Sequence, residues 1–493
     1  MSAEEIITGT TSGPVRGRTR SGVHLFAGIP YAAPPVGSLR FRPPQPHPGW
    51  GETRDARKFG PAAPQVPSGG LTDAANVRWD EDCLTLNVQT PAIDDAARPV
   101  LVWIHGGGYR TGQGAIPWYN GQSFCAKGDI VVVTINYRLG ALGFTDLSRF
   151  GSAYDNSGAL GTLDQIAALE WVRDNIARFG GDPAKVTIAG ESAGGFSVST
   201  LLGCEAAQGL FRAAIPQSGG AQHTLTKDQA HEVTDWFLAH LGVDDIIGLE
   251  AASADAVLEA QVKTIKDLES GAGFVNKLGT AVSPFYPVHG TPLLPVRPLK
   301  ALRQGVGSNV PVLTGSNQHE TTLWGYGKVD EGKLHHAARK YGAEAPLATY
   351  LNNHPDDTPA DTIIRLTTDH MFRIPAIRLA EAREAHGANT WMYLFSWESR
   401  AFKRRLKATH ALEIPFAFNN LSQPGVDAFL GPGEVPQHVA DDMHAAWTRF
   451  VRDLDPGWPA YESGERLTYR FDDEAGVISD PDGAERQAWE GIR

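Results

Sequence analysis

The sequence is poor in sulfur, in excess positive charge and in long apolar runs. Three cysteines among 493 residues are too few, and odd in number, to staple a chain of this size, which suits a reducing compartment. The 44 Lys and Arg are outnumbered by 56 Asp and Glu, a formal charge of −12. That argues against nucleic acid or an anionic membrane surface as partner, because both recruit a basic face. No stretch approaches the ~20 apolar residues of a membrane span. The N-terminal MSAEEIITG carries two glutamates and no apolar core, so it reads as neither a signal peptide nor an anchor. A cytoplasmic protein is expected, monomeric or dimeric.

What is present is globular. Apolar residues make up 42% of the chain, enough for a large core. The length leaves room for two or three domains. No repeat, low-complexity tract or linker divides it, so we read a single domain over 1–493, with helical insertions at roughly 225–280 and 325–390. The proline-dense stretch 26–50 reads as an ordered surface loop.

Short β-branched runs predict buried strands at Pro99–Ile104, Asp129–Tyr137, Lys185–Ala189, Pro311–Ser316 and Thr390–Trp397. Helical spacing of Leu163, Ile166, Leu169, Val172, Ile176 and Phe179 predicts a helix, closed by Gly180-Gly181 and Pro183. Strands alternating with helices imply a mostly parallel sheet covered on both faces.

Chemistry enters where predicted strands end. After KVTIA stands Gly190-Glu191-Ser192-Ala193-Gly194, a G-x-S-x-G between a strand and a small-residue helix start. That is the setting of a nucleophile elbow, in which glycines let strand and helix approach and the serine Oγ projects from the sheet. After PVLVWI stands His105-Gly106-Gly107-Gly108-Tyr109. Its glycines free backbone N–H groups to hold a tetrahedral oxyanion. Gly107, Gly108 and Ala193 are the candidate donors.

A serine hydroxyl needs a histidine base and an orienting carboxylate. Glu320 follows the strand PVLTGS, and His410 lies on a late loop after TWMYLFSW. Position alone is weak for both, because eight histidines follow Glu320 and Asp369 is a rival acid. HETTLW is not a zinc helix, since Leu323 stands where the second histidine would fall, four residues after His319, and no phosphate-binding loop occurs. No metal or cofactor is expected. Asn420-Leu421-Ser422 has the form of a glycosylation sequon, expected to stay unmodified. The basic run Lys403-Arg404-Arg405 with Lys407 reads as a solvated loop face, or less readily as an entry for anionic substrates.

Taken together the motifs resemble those of the type-B carboxylesterases, which include cholinesterases and bacterial para-nitrobenzyl esterases. The likeness spans about residues 10–470. Its segments include GIPYAAPPVGSLRF, EDCLTLNV, PVLVWIHGGGY, NYRLGALGF, PFYPVHG, GSNQHETTLW and ATHALEIPFAF. It implies an α/β-hydrolase fold, with Ser192 as nucleophile, Glu320 as triad acid, His410 as general base and Gly107, Gly108 and Ala193 as the oxyanion hole. Glu191 and Ser218 match positions beside the triad. Arg40 with Glu81, and Arg138 with Asp164, resemble structural ion pairs.

Departures from the family pattern are informative. Cys83 lacks its family disulfide partner, because Ala63 stands there. Asp73 stands where cholinesterases place the tryptophan that holds choline, so choline selectivity is not expected. Small residues at the acyl-pocket positions, Ala281 and Ser283, imply a roomy acyl side. Tyr109, Leu323 and Trp324 are candidates for an apolar pocket wall.

The expected activity is hydrolysis of small to medium, mainly apolar or aryl carboxylic esters through an acyl-enzyme, falling below about pH 6 as a histidine of ordinary pKa roughly 6.5 protonates. One alternative keeps the triad but cleaves an amide or carbamate. Another is a non-catalytic binding protein like the neuroligin-like relatives, which typically lack the serine that this chain keeps.

Overall fold

The computed structural model describes residues 5–66, 78–269 and 283–492. The strands, in chain order, are β1 (Glu5–Thr10), β2 (Gly13–Arg20), β3 (Val23–Pro30), β4 (Arg54–Asp55), β5 (Thr85–Thr90), β6 (Arg98–Ile104), β7 (Val131–Ile135), β8 (Gly181–Glu191), β9 (Ala213–Gln217), β10 (Val312–Asn317), β11 (Thr390–Phe395), β12 (Leu467–Phe471) and β13 (Gly476–Ser479). Among the described residues they form one sheet in the order β1-β2-β3-β5-β7-β6-β8-β9-β10-β11-β12-β13, with β4 beside β2. The run from β7 through β6 and β8 to β12 is parallel. The flanks β1-β2-β3-β5-β7 and β12-β13 are antiparallel.

Burial on both faces explains why the central strands read as unbroken apolar runs. In β6, Val100, Val102 and Ile104 belong to one hydrophobic cluster. Leu101 and Trp103, pointing the other way, belong to a second. The stretch 26–50 needs correction: Phe26–Pro30 is strand, paired with β5. Phe26 and Ile29 are buried, and that burial outweighs the prolines, which crowd only the following residues.

The helix expected from Leu163 runs Leu160–Asn175 and tightens into a 3₁₀ turn at Ile176–Phe179. Leu163 is only half-buried, whereas its neighbour Asp164 is fully buried. Arg138 explains the inversion, donating to Asp164 at 2.8 and 2.7 Å. Arg40 and Glu81 likewise pair, with Nε donating at 2.7 Å.

Helices at Lys227–Leu241, Ile246–Ala251 and Ala254–Glu269 occupy the first expected insertion. Those at Glu331–Lys340, Glu344–Asn353, Pro359–Thr368 and Ile374–Glu384 occupy the second and carry their own apolar cluster, with Leu334, Tyr350 and Leu366. Cys83, Cys125 and Cys204 are free thiols and buried. Among the described residues no helix is long and apolar enough to cross a membrane.

Candidate active site

Ser192 sits between the end of β8 and the helix Ala193–Leu202 with φ 57° and ψ −124°. A non-glycine residue held there costs roughly 1–3 kcal/mol and persists only where its surroundings fix it. Close approach fixes it here: a Cβ on Gly194 would stand 2.0 Å from the Ile104 carbonyl oxygen. The Ser192 N–H donates to Gln217 O at 3.1 Å, at the end of β9. Although serine is a favoured N-cap residue, this hydroxyl caps nothing and stays available for chemistry. Only 8% of the residue is exposed.

The glycine loop leans against this elbow. A Cβ on Gly106 would lie 2.6 Å from Glu191 O and 3.1 Å from the Ser192 Cβ. Gly107 has φ +106°, and its carbonyl accepts from Arg110 N–H and Thr111 N–H at 3.0 and 3.1 Å, closing a turn. Among the described residues no backbone acceptor takes the N–H of Gly107, Gly108 or Ala193. His105 anchors the loop: its ring stacks on Tyr137, centroids 4.5 Å apart, and Tyr137 Oη donates to His105 O at 2.9 Å. Burial pushes this imidazole down to about 4, so it stays neutral.

Glu320, directly beyond β10, is fully buried. Its Oε1 accepts from Ser218 Oγ at 2.6 Å and Asn317 N–H at 2.8 Å. Its Oε2 takes the Nδ1–H of His410 at 2.6 Å. The His410 N–H also donates to Glu320 O at 3.1 Å. The other ring nitrogen, Nε2, lies 3.2 Å from Glu191 Oε1, beside the serine, without the alignment of a hydrogen bond.

Asp369 is not part of this group. Arg373 holds its carboxylate at 2.6 and 2.7 Å, and Tyr350 Oη donates to it, within a π-helical turn at Asp369–Arg373.

Electrostatics favour the charged imidazole. Burial alone would lower the His410 pKa, but Glu191, Glu320 and Glu413 outweigh it and raise the value to about 9. Burial drives Glu191 the opposite way, well above the ordinary carboxyl range.

Glu413 is a residue that sequence reasoning passed over. It is fully buried. Its carboxylate accepts from Asn317 Nδ2 at 2.6 Å and Gln217 Nε2 at 3.2 Å, and Asn317 Nδ2 also donates to Thr409 O at 2.7 Å. Glu413 thereby ties together the ends of β9 and β10 and the loop that presents His410. Burial, reinforced by the charge of Glu320, raises it to about 7. Standing three residues after His410 was its only sequence signal, and spacing on an irregular loop does not say which way a side chain turns.

A base of raised pKa is lost earlier on acidification. The acid limb of kcat/KM is therefore expected above the ordinary histidine value of 6.5, not near pH 6. Glu413→Gln removes a negative charge that favours the imidazolium and should move that limb to lower pH. Losing this buried charged acceptor should also lower kcat about tenfold. A pH–rate series on both proteins checks this; an unmoved limb would refute the assignment.

The expected pocket residues divide. Trp324 is 45% exposed and Leu323 40%. The Trp324 ring lies 5.2 Å from that of His410 and stacks parallel to Phe372, which itself lies 4.8 Å from His410. Tyr109 is 0% exposed, edge-on to Phe144 and Tyr286. Its ring belongs to the main hydrophobic cluster, and its hydroxyl accepts from Ser197 Oγ at 3.3 Å. Ser283 is buried, its Oγ accepting from Phe285 N–H at 3.1 Å. Ala281 and Asp73 lie outside the described residues. Asn420 is buried and spends its Nδ2 on Trp118 O and Asn120 O at 2.9 and 2.8 Å, so a glycan has no access to it.

A serine on a strained strand-to-helix turn, glycine donors against it and a carboxylate-held histidine at neighbouring strand ends define an α/β-hydrolase. The profile of the carboxylesterase family matches residues 4–487, and the chain belongs to that family. It is a carboxylic ester hydrolase.

The chain is 39% identical to the para-nitrobenzyl esterase of Bacillus subtilis, over 98% of each chain. It is 36% identical to the phenmedipham hydrolase of Pseudarthrobacter oxydans, over 97% of this chain and 96% of that one. Among solved structures, the carboxylesterase EST55 of Geobacillus stearothermophilus superposes with a TM-score of 0.87 at 39% identity, covering 98% of this chain and all of that one.

Proposed function

We propose that Ser192, His410 and Glu320 form the catalytic triad of an esterase acting on small to medium, apolar or aryl carboxylic esters. The observation that carries this is the 2.6 Å bond from His410 Nδ1 to Glu320, which turns Nε2 toward the elbow. Nε2 takes the Ser192 proton as Oγ attacks the ester carbonyl. The N–H groups of Gly107, Gly108 and Ala193 hold the oxyanion, each worth roughly 3–4 kcal/mol in the transition state. His410 then protonates the departing alcohol and activates the water that releases the acid. Glu320 stays ionised and keeps the imidazole in the reactive tautomer.

The exposed Trp324 and Leu323 near His410 support apolar and aryl groups on the substrate, and similarity to a para-nitrobenzyl esterase points the same way. Three buried free thiols support work in the cytoplasm, and we take the chain to act as a monomer.

A panel of p-nitrophenyl esters from acetate to dodecanoate, with an anilide and an aryl carbamate of the same leaving group, tests the reading. The highest kcat/KM should fall among the short and medium esters. A higher value for the carbamate would favour the second reading, to which the relative named phenmedipham hydrolase lends support. A higher value for the anilide would make the enzyme an amidase.

A further inference from the structure

One cavity of about 570 Å³ contains no residue of the proposed triad or oxyanion hole. It lies outside the carboxyl ends of β10, β11 and β12, the side on which open α/β sheets bind ligands. Its volume is that of a small-molecule site. Gln318 and His319 follow β10, Ser396 and Trp397 follow β11, and Asp472 and Asp473 follow β12. His319 and Glu320 are adjacent in the chain, yet His319 lines this cavity while Glu320 binds His410.

The lining charge is separated. Arg365 and Lys407 stand on the β10 side. Both are tied to the helix Pro359–Thr368: Arg365 belongs to it, and Lys407 Nζ donates to its Asp361 at 2.9 Å. That helix is joined to the residues after β10 by Thr321 Oγ1 donating to Ile364 O at 3.2 Å. Arg365 donates through Nε alone, to Asp357 at 2.6 Å. Among the described residues its two Nη groups, and two of the three Lys407 ammonium hydrogens, have no acceptor.

The opposite wall is acidic. Asp472 and Asp473 lie beyond β12, two strands away. Asp472 is half-buried and pairs with no cation among the described residues; its Oδ1 accepts only the N–H of Asp473, at 2.8 Å. Asp473 meets His438 at 3.2 Å. Of the other charged lining residues, Arg404 pairs with Glu398 at 3.6 Å, and Arg400, after β11, donates to Glu434 O at 2.5 Å and lies over the Trp397 ring. Between the walls, the buried Ser396 hydroxyl and His319 Nδ1 have no hydrogen-bond partner, although buried polar groups ordinarily find one.

Unspent guanidinium and ammonium donors on one wall and an unpaired carboxylate on the other are satisfied together by a molecule carrying both charges. We infer that this cavity is a second binding site, for a small zwitterion. Its carboxylate is received by Arg365 and Lys407, and its ammonium by Asp472 and Asp473. A simple anion would leave the acidic wall unpaired and be repelled by it; a simple cation would meet the reverse. Its lining includes His319, next to Glu320 in the chain, but no residue of the triad, so its occupant does not compete with the ester.

The test is titration of the whole enzyme with glycine, 4-aminobutyrate and 6-aminohexanoate, against hexanoate and hexylammonium as singly charged controls. Calorimetry or ligand-observed NMR at fixed ionic strength gives the affinities. At least one zwitterion should bind about tenfold more tightly than either control, a second charge pair at a partly buried site. Asp472→Asn should reduce that zwitterion to the level of hexanoate. Arg365→Gln, checked for an unchanged melting temperature, should reduce it to the level of hexylammonium. The KM for p-nitrophenyl butyrate should stay within about twofold at saturating zwitterion, since a ligand outside the catalytic cleft does not exclude the ester.

Equal binding of hexanoate would make this a plain anion site and overturn the inference. So would absence of saturable zwitterion binding up to about 100 mM, binding unaffected by Asp472→Asn, or a competitive rise in KM.

Discussion

Ser192→Ala is expected to lower kcat for p-nitrophenyl butyrate by at least about 10⁴-fold. Loss of a triad nucleophile elsewhere costs on the order of 10⁶, with the oxyanion hole and binding supplying the residual rate. The change removes one oxygen. The hydroxyl caps no helix, and the backbone at 192 is held by Gln217 O and by the close approach of Gly190 and Gly194 to β6. Alanine adopts that backbone as readily as serine does, so the melting temperature should stay within about 2 °C. A fluorophosphonate should label the wild type and leave the variant unlabelled. Equal turnover by the two proteins would eliminate the serine mechanism.

The second large effect separates the two candidate acids. Glu320→Gln keeps the shape of the side chain but offers an amide to Nδ1 of His410, which disfavours the tautomer that accepts the serine proton. The expected loss is about 10³- to 10⁴-fold in kcat. Asp369→Asn should act on stability instead. Its carboxylate balances the buried Arg373, and leaving a buried cation without its partner costs about 3–5 kcal/mol. Thermal melts with steady-state kinetics at a temperature where both variants are folded distinguish the outcomes. A larger kinetic loss in Asp369→Asn than in Glu320→Gln would overturn the assignment.

The two carboxylates show why the choice of acid was open in the sequence. Each precedes His410, and each lies in a segment of unremarkable composition. Glu320 terminates a parallel strand, where the Asn317 N–H, the Ser218 hydroxyl and the His410 ring converge on it. Asp369 is drawn into a helical insertion by an arginine four residues on. Direction of projection decided between them, and periodicity carries no such information where the backbone is irregular.

Glu413 and Tyr109 make the same point from opposite sides. Glu413 carried no pattern, yet it braces the floor of the site through Asn317 and Gln217. Tyr109 belonged to a conspicuous motif, and its ring is buried edge-on to Phe144 and Tyr286, contacts that no local pattern announces.

The sequence by itself determined the central strands, the elbow and the glycine loop. Each depends on neighbours within a few residues: β-branched runs buried on two faces, and glycines wherever a Cβ would strike the adjoining backbone. Only the tertiary structure decided which carboxylate meets His410, that Glu413 underlies the site, and that the ends of β10, β11 and β12 enclose a charge-separated cavity. Those relations join residues 50 to 200 positions apart, brought together by strand order in the sheet, and chain proximity holds no record of that order.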